Sequence, residues 1–349
     1  MFAQTSDTKD VVREFGLIVL REAASITWPS NFHPRAEDVF TTILGVNVFW
    51  VSEYLPNEFI VSRWSVEDVK TWCLCFTVEN AGTTVSMTKG SDAPEVSLLA
   101  SLDGVTWNEF IPGSTTLTLA NAGDKVYFKA GEGGNKGISS PTNHTLTGSN
   151  RFNVSGAFAA SGSVMSLLDG ENYTTTIEQA GAFTYLFYDC WMTQAPELPA
   201  TTLADYCYDH MFYSCNSLTK APELPATTLA NSCYFRMFMD CYSLTSAPEL
   251  PATTLADYCY GGMLQNCTKL TQAPALPATT LATYCYYIMF HGCTKLNNIN
   301  VNFSAWVPTN ATDSWVNGVA SSGTFTCPAG LPEEFGEDRI PTGWTIVRK

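Results

Sequence analysis

A ten-residue segment occurs four times in this chain, and it constrains the fold more than any other feature. The segment reads APELPATTLA and begins at Ala195, Ala221, Ala247 and Ala273, with Ala275 replacing glutamate in the last copy. The repeat period is 26 residues. A fixed period of this length is typical of proteins whose units stack on their neighbours. We therefore predict a solenoid over residues 169–300, with residues 169–194 as its N-terminal cap.

Each repeat also carries apolar residues at four-residue intervals. In the first copy they are Leu203, Cys207, Met211 and Cys215. This spacing predicts the apolar stripe of a helix, and Thr202 with Asp205 is typical of a capping box at its start. The segment Leu218–Leu224 is predicted to be extended. Pro222 and Pro225 lack backbone donors, so its ladder should be short and partial.

Eight of the twelve cysteines fall in two columns of the repeat, and this placement argues against a disulfide framework. The columns are Cys207, Cys233, Cys259, Cys285 and Cys215, Cys241, Cys267, Cys293. We predict that they are small buried hydrophobic side chains, with disulfide or metal ladders as the alternatives. No Cys-x-x-Cys pair occurs, and His210 and His291 are the only histidines of the repeats, which argues against zinc. No cofactor and no metal site is predicted.

The positions that differ between repeats are the candidate binding positions. We expect them to be exposed, and they contain no acid–base or nucleophile pattern, so no catalytic residue is predicted. The alternative is drift at unconstrained surface positions. The candidate binding face comprises Asp209, His210, Tyr213, Phe235, Arg236, Met239, Asp240, Gln265, Asn266, Tyr287 and His291.

Charge and composition exclude several partners. The formal net charge is −15, with 33 acidic residues against 18 basic ones, which argues against nucleic acid and anionic lipid. The chain is 45% hydrophobic and can bury a core. Met1–Val11 lacks the pattern of a secretory signal, and Gly16–Leu20 is too short to span a membrane. These features predict synthesis in a reducing cytoplasm and no membrane insertion.

The predicted fold class is multidomain α+β. Residues 1–70 are predicted to form a small α/β module, with a helix over Asp7–Ala24, a strand over Val39–Trp50 and a short helix near Ser65. Residues 301–349 should form a C-terminal β cap, with strands over 323–327 and 340–347.

Short alternating segments separated by turn signals predict a β-sandwich over residues 71–168. Cys73 and Cys75 should face one side of its first strand, and Leu74 and Phe76 the other. The predicted strands are Trp72–Val78, Thr83–Met87, Val96–Ser101, Thr115–Leu119, Lys125–Ala130 and Arg151–Ser155.

Two further motifs have structural explanations. Gly131–Gly137 lacks the lysine and serine or threonine of a phosphate-binding loop, so we predict a flexible loop. Ser101–Trp107 is similar to an Asp-box, which predicts a hairpin turn around Asp103.

The repeat Met-Phe-x-x-Cys-x-x-Leu-Thr resembles the BspA-like leucine-rich repeat family, over residues 165–349. Asn317–Phe325 and Gly343–Ile346 resemble its cap elements, and Asn153–Gly156 and Met165–Gly170 resemble the segment that precedes such repeats in proteins of gut Bacteroides and their phages. The resemblance implies a leucine-rich-repeat-type solenoid. It implies little about function, because such repeats occur in adhesins, secreted virulence proteins and virion proteins.

The expected function is that of a non-enzymatic phage virion protein, either a fibre, a decoration or a receptor-binding protein. Residues 1–70 would dock on other virion proteins, and the solenoid would bind a host glycan or surface protein. A homo-oligomer is expected, with a trimer as the usual case. The alternative is a bacterial cell-surface adhesin. A glycan-active enzyme is a third hypothesis, but Glu197, Glu223 and Glu249 would lie one per layer, as solvated charges.

Overall fold

The computed structural model describes residues 72–170 and 174–349, and the backbone of three earlier strands. The chain divides into two compact units, Met1–Lys70 and Thr71–Lys349. We describe each unit by itself.

In the first unit, an antiparallel sheet replaces the predicted α/β module. Strands β1 (Leu17–Arg21), β2 (Val46–Leu55) and β3 (Glu58–Arg63) form the sheet in the order β1-β2-β3. The helix predicted over Asp7–Ala24 is wrong at β1, which pairs with β2. Its sequence LIVLR includes the β-branched residues Ile18 and Val19, and its pairing with β2 overrides the helical pattern. The helix predicted near Ser65 lies outside the described residues.

Two sheets at the start of the second unit share an aromatic core. A three-stranded sheet has the order β10-β5-β8, and a six-stranded sheet the order β12-β11-β4-β9-β6-β7. Within these two sheets, β11 and β12 pair in parallel and the other neighbours are antiparallel. The strands are β4 (Leu74–Val78), β5 (Thr83–Thr88), β6 (Leu98–Ser101), β7 (Asn108–Glu109), β8 (Thr116–Leu119), β9 (Lys125–Ala130), β10 (Arg151–Val154), β11 (Phe158–Ser161) and β12 (Met192–Gln194).

The alternation of side chains along β4 decides which residues enter this core. Phe76 of β4 meets Phe152 of β10 across the two sheets, with ring centroids 4.8 Å apart. Cys75 points the other way and, with Cys73, packs against Tyr127 in a separate small cluster. The predicted faces of this strand are confirmed. Each of the six predicted strands has an observed counterpart, whereas β7, β11 and β12 were not predicted, because they are short and weakly alternating.

The four-residue spacing in the repeats produces overlapping turns instead of a helix. In the first repeat, the N–H groups of Cys207, Met211 and Cys215 each donate to the carbonyl three residues earlier. The third residue of each of these turns has a positive φ. The values are 57° at Tyr206, 54° at His210 and 61° at Ser214. Such a residue is required in a type II turn and interrupts an α-helix. The predicted helix of the repeat is therefore wrong.

The amides between these turns bond to the next repeat. The N–H of Tyr208 donates to the carbonyl of Cys233, that of His210 to Phe235 and that of Phe212 to Met237. The same register recurs from repeat to repeat, and we call the array of residues 174–319 the repeat stack. Its proline-containing segments make only isolated bridges, such as Lys220 with Ser246. A short, partial ladder is what their missing donors predict.

The predicted fold class is therefore wrong. The described part of the chain is nearly all-β, and its helices are the 3₁₀ turn Leu146–Gly148 and the four-residue α1 (Ser166–Asp169). None of the described sheets is closed, and none winds through the repeats as a solenoid. The reason is local: a left-handed residue at every fourth position excludes helices, and proline excludes continuous strands.

One hydrophobic core runs from the sandwiched sheets into the repeat stack. Phe187 stacks on Phe152 at 5.7 Å, and Phe212 and Phe238 continue this column at 5.4 Å per step. A parallel column contains the buried tyrosines Tyr208, Tyr234, Tyr260 and Tyr286.

The repeat cysteines are free and buried, as predicted. In one column the thiol also links neighbouring repeats: Cys241 Sγ donates to the carbonyl of Phe212 at 3.2 Å. Burial raises the pKa of the Cys241 thiol to about 12, so it stays protonated and can donate. This bond explains the preference for a small side chain that is also a weak donor.

The far end of the stack is closed by a parallel sheet and a buried tryptophan. Strands β13 (Asn298–Asn300), β14 (Thr324–Cys327) and β15 (Thr345–Arg348) form the sheet in that order. Trp315 is fully buried and donates Nε1–H to the carbonyl of Arg339 at 2.8 Å. Strands were predicted over 323–327 and 340–347; β14 confirms the first, and β15 confirms the second only over residues 345–347.

The phenylalanine column can be tested through Phe238. Alanine would leave a cavity between two repeats, and we expect Phe238→Ala to lower the free energy of unfolding by about 3–5 kcal/mol. Leu264 occupies the same position in the next repeat, so Phe238→Leu should cost only roughly 1 kcal/mol. Chemical denaturation followed by tryptophan fluorescence measures both. Equal losses for the two variants would contradict this packing.

A candidate binding face on the repeat stack

The eleven candidate residues line up on one face of the repeat stack, which we call the variable face. The register between repeats places Asp209, Phe235, Gly261 and Tyr287 in one column, and His210, Arg236, Gly262 and Ile288 in the next. Another column contains Tyr213, Met239, Gln265 and His291, and its neighbour contains Asp240 and Asn266. The structure therefore brings together residues that are far apart in sequence.

These residues are less exposed than the sequence led us to expect. Asp209 is 3% exposed and His210 is 8% exposed, so the expectation of exposure is wrong for this pair. The other nine are half-buried. Each side chain is partly covered by its counterpart in the adjacent repeat, because the repeats are separated only by a backbone hydrogen bond.

Neighbouring repeats interlock at Gly261 and Gly262. A Cβ on Gly261 would lie 2.9 Å from the ring of Phe235, and one on Gly262 would lie 2.7 Å from Cγ of Arg236. The side chains of one repeat thus fill the space that the next repeat leaves empty. A larger residue at either glycine would therefore require a shift of the side chain in the adjacent repeat.

Asp209 and His210 form a buried pair beneath this face. His210 Nδ1 lies 2.5 Å from Asp209 Oδ1. Tyr185 stacks on the imidazole at 4.5 Å, and Phe235 meets it edge-on at 5.8 Å. Burial raises the pKa of Asp209, and the hydrogen bond and charge of His210 oppose that rise. His210 Nδ1 and Asp209 Oδ1 are thus already paired with each other.

Asp240 is the polar centre of the face. Its Oδ1 accepts a hydrogen bond from Asn266 Nδ2 at 2.7 Å, and its carboxylate lies near the side chains of Tyr213 and Tyr242. Burial and the charge of Asp240 together raise the pKa of Tyr213. The bond from Asn266 joins two adjacent repeats on this face.

Four aromatic residues of this region were missing from the sequence-based set. Tyr185 and Tyr188 belong to the cap, where they occupy the positions of His210 and Tyr213. Trp191 and Tyr242 each follow a column cysteine directly and are 64% and 45% exposed. The alignment of Cys190 with Cys215 places Tyr185 and Tyr188 at the positions of His210 and Tyr213, and the residue after the cysteine also differs between repeats, which is the signal that indicates Trp191 and Tyr242.

The remaining motifs are structural. Asp103 accepts bonds from the N–H groups of Val105 and Thr106, which confirms the hairpin turn between β6 and β7. These bonds hold the pKa of Asp103 well below its usual range. In the Gly131–Gly137 loop, Asn135 Nδ2 donates to the carbonyls of Ser97 and Leu167, which fixes the loop against α1.

The described residues include no group of three or more His, Cys, Asp or Glu side chains arranged to hold a metal ion. Over the same part of the chain, no helix has the length and apolarity needed to cross a membrane. Glu197, Glu223 and Glu249 are exposed, one in each repeat.

Comparison with known proteins does not assign a family. The chain matches no protein-family model, no curated protein and no solved structure. The resemblance to BspA-like repeats stays a prediction that rests on the repeat motif.

The interlock predicts a coupling between Gly261 and Phe235. Gly261→Ala should destabilise the protein by about 1–3 kcal/mol, because its Cβ would overlap the phenyl ring. Adding Phe235→Ala removes the overlap, so the double variant should be more stable than the sum of the two single effects by about 0.5–3 kcal/mol. Thermal and chemical denaturation of the four proteins of this cycle measure the coupling. Strict additivity would contradict the interlock.

The buried pair predicts a pH-dependent loss of stability in His210→Ala. Without the imidazole, the Asp209 carboxylate is buried without a partner, which costs about 3–5 kcal/mol where Asp209 is ionised. The raised pKa means that the folded variant retains a proton that the unfolded chain has lost, so its stability falls as pH rises through that pKa. The deficit against the parent should therefore be larger at about pH 8 than at about pH 4.

The control for this experiment replaces both charges together. Asp209→Thr with His210→Tyr reproduces Thr184-Tyr185, the equivalent dipeptide of the cap. Its stability relative to the parent should depend less on pH. A deficit of His210→Ala that does not change with pH would contradict a charged, buried Asp209.

Proposed function

We propose that this protein is a non-enzymatic virion surface protein, a fibre, decoration or receptor-binding component, that binds a ligand on the host surface through its variable face. The observation that carries the proposal is the contrast within the repeats. The buried frame is nearly constant, whereas one face changes from repeat to repeat and its residues interlock. A rigid frame with a varied face is how stacked repeats present binding surfaces.

The chemistry of this face favours binding over catalysis. Asp209 is paired with His210, and Asp240 accepts a hydrogen bond from Asn266. Burial raises the pKa of the column cysteines, for example that of Cys293 to about 12, so they are poor nucleophiles. Paired aromatic rings and amides are typical of recognition surfaces.

The assignment to a virion rests on the division of the chain. Met1–Lys70 forms a compact unit of its own, and we assign to it the attachment to other virion proteins. The repeat stack would then face outward, in a homo-oligomer for which a trimer is the expected state. Location on a bacterial cell surface, as an adhesin, is the competing assignment.

The location can be tested with antibodies raised against the full chain. Immunogold labelling and mass spectrometry of purified phage particles should detect the protein on their surface. Labelling of uninfected bacterial cells instead, with none on particles, would support the adhesin. Detection on neither would overturn a surface function.

The role of the variable face can be tested by adding one charge to it. Gln265→Arg places a bulky cation among the half-buried residues of the face and should reduce binding of the purified protein to host cells at least about tenfold. Thr253→Arg makes the same change in charge at an exposed position of the constant segment of the same repeat, and should bind normally. Equal binding by both variants would contradict the assignment of the face.

A further inference from the structure

A single asparagine of the chain is followed directly by glycine. It is Asn317, which continues the column of Gln265 and His291 by one more repeat period. Asn317 is half-buried, and Gly318 is exposed. The carboxamide of an asparagine lies within reach of the backbone nitrogen of the next residue. A glycine at that next position has no side chain to hinder the approach of the two groups.

The backbone nitrogen of Gly318 is not engaged in the fold. Among the described residues, its N–H donates no hydrogen bond. The dipeptide Asn231–Ser232 provides a contrast, because Ser232 is buried and its N–H donates to the carbonyl of Asp257 at 2.9 Å. The fold therefore restrains the amide that follows Asn231 and leaves the amide of Gly318 open to reaction and to water.

The turn at Gly318 does not require a glycine. Its φ is 76°, and the equivalent residues Ser214 and Asp240 of earlier repeats have φ values of 61° each. A Cβ on Gly318 would lie 3.6 Å from the backbone of Gly292, which is an ordinary contact. A serine at this position should therefore fold as it does at Ser214, and a matched variant is available.

The side chain of Asn317 joins the end of the repeat stack to the segment of residues 334–340. Its Nδ2 donates to Glu337 Oε2 at 2.9 Å, and the N–H of Val316 donates to the carbonyl of Glu337 at 3.1 Å. Both side chains of the first bond reach the surface, where water competes for the same donor and acceptor. This bond therefore opens readily, and it slows a reaction at the carboxamide without preventing it.

We infer that Asn317 is a site of spontaneous deamidation, with water as the co-reactant. The nitrogen of Gly318 attacks Cγ of Asn317 and forms a C–N bond. The bond from Cγ to Nδ2 breaks, and ammonia leaves with the proton of the Gly318 amide. Water then opens the five-membered imide at either carbonyl, which gives aspartate or isoaspartate. This inference does not depend on the proposed function.

Both products weaken the contact with Glu337. An ionised aspartate has no donor, so two carboxylates would face each other where an amide now donates to one. Isoaspartate also lengthens the main chain by one methylene, beside the bond from the N–H of Gly292 to the carbonyl of Asn317 at 2.8 Å. The deamidated protein should therefore be held less firmly at the end of the repeat stack.

The test follows deamidation of the purified full chain by peptide mass spectrometry during incubation in mildly alkaline buffer. We expect aspartate and isoaspartate to accumulate at residue 317 in the folded protein. The rate should be at least about a tenth of that in protein unfolded by urea. A slower rate would show that the fold protects Asn317, and it would overturn the inference.

Two variants assign the reaction to this dipeptide. Gly318→Ser adds a side chain beside the attacking nitrogen and should slow deamidation at least about fivefold. Asn317→Gln keeps a carboxamide, as at Gln265, but lengthens the side chain, so the five-membered ring cannot form and the product should be absent. Thermal midpoints close to that of the parent would show that both variants are folded. Equal rates in Gly318→Ser and the parent would overturn the inference.

The effect on the contact can be measured without waiting for the reaction. Asn317→Asp should lower the thermal midpoint by roughly 1–3 °C, because the contact with Glu337 is exposed and contributes little. Adding Glu337→Gln exchanges donor and acceptor and should restore most of that loss. A midpoint of Asn317→Asp equal to that of the parent would contradict the predicted weakening.

Discussion

The backbone hydrogen bonds of the repeat turns are the interaction on which the rest of this structure depends. Successive amides alternate between a carbonyl three residues back and a carbonyl in the next repeat. The chain can do this only because every fourth residue is left-handed, as at Tyr206 and His210. Every buried amide of the turns thus has a partner, without helix or sheet. Side chains at equal positions are consequently stacked one above another.

This stacking explains both the constant and the varied parts of the repeat. In the core, identical side chains stack on one another, so Tyr208 and its equivalents form one column. The same stacking brings the thiol of Cys241 to a carbonyl of the preceding repeat. On the variable face, each side chain leans on its neighbour, so a large residue such as Phe235 requires a small one at Gly261. A larger residue at one position of this face therefore has to be matched by a smaller one at the same position of the adjacent repeat.

The same core joins the repeats to the sheets that precede them. The column that begins at Phe152 of β10 continues through Phe187 into Phe212, and the N–H of Phe152 donates to the carbonyl of Leu186. The two sheets therefore cover the N-terminal end of the stack, and Trp315 covers the other end. Capping of both ends keeps the turns out of contact with water, which would compete for their amides.

Local patterns predicted a large part of the described structure. Alternation located six strands, the equal spacing of the cysteines predicted their burial, and Asp103 predicted its hairpin. The helix of the repeat was wrong because a spacing of four residues was interpreted as the 3.6-residue period of a helix. The left-handed positions of the repeats carry tyrosine, histidine, serine, arginine, aspartate, asparagine and isoleucine, and glycine only at Gly262 and Gly292, so no residue common to the copies indicates a positive φ. The strand β1 was also not predicted, because it depends on pairing with β2, and β2 begins only at Val46.

The sequence by itself determined the period of the repeat, its buried columns and the positions at which the copies differ, because identity at a fixed interval is visible in one dimension. Only the tertiary structure decided which of the differing residues touch each other and which are buried. The burial of Asp209 and His210, the interlock at Gly261 and the hydrogen bond from Asn266 to Asp240 all depend on the register between neighbouring repeats. That register is set by hydrogen bonds between residues about one repeat apart, which no local pattern specifies.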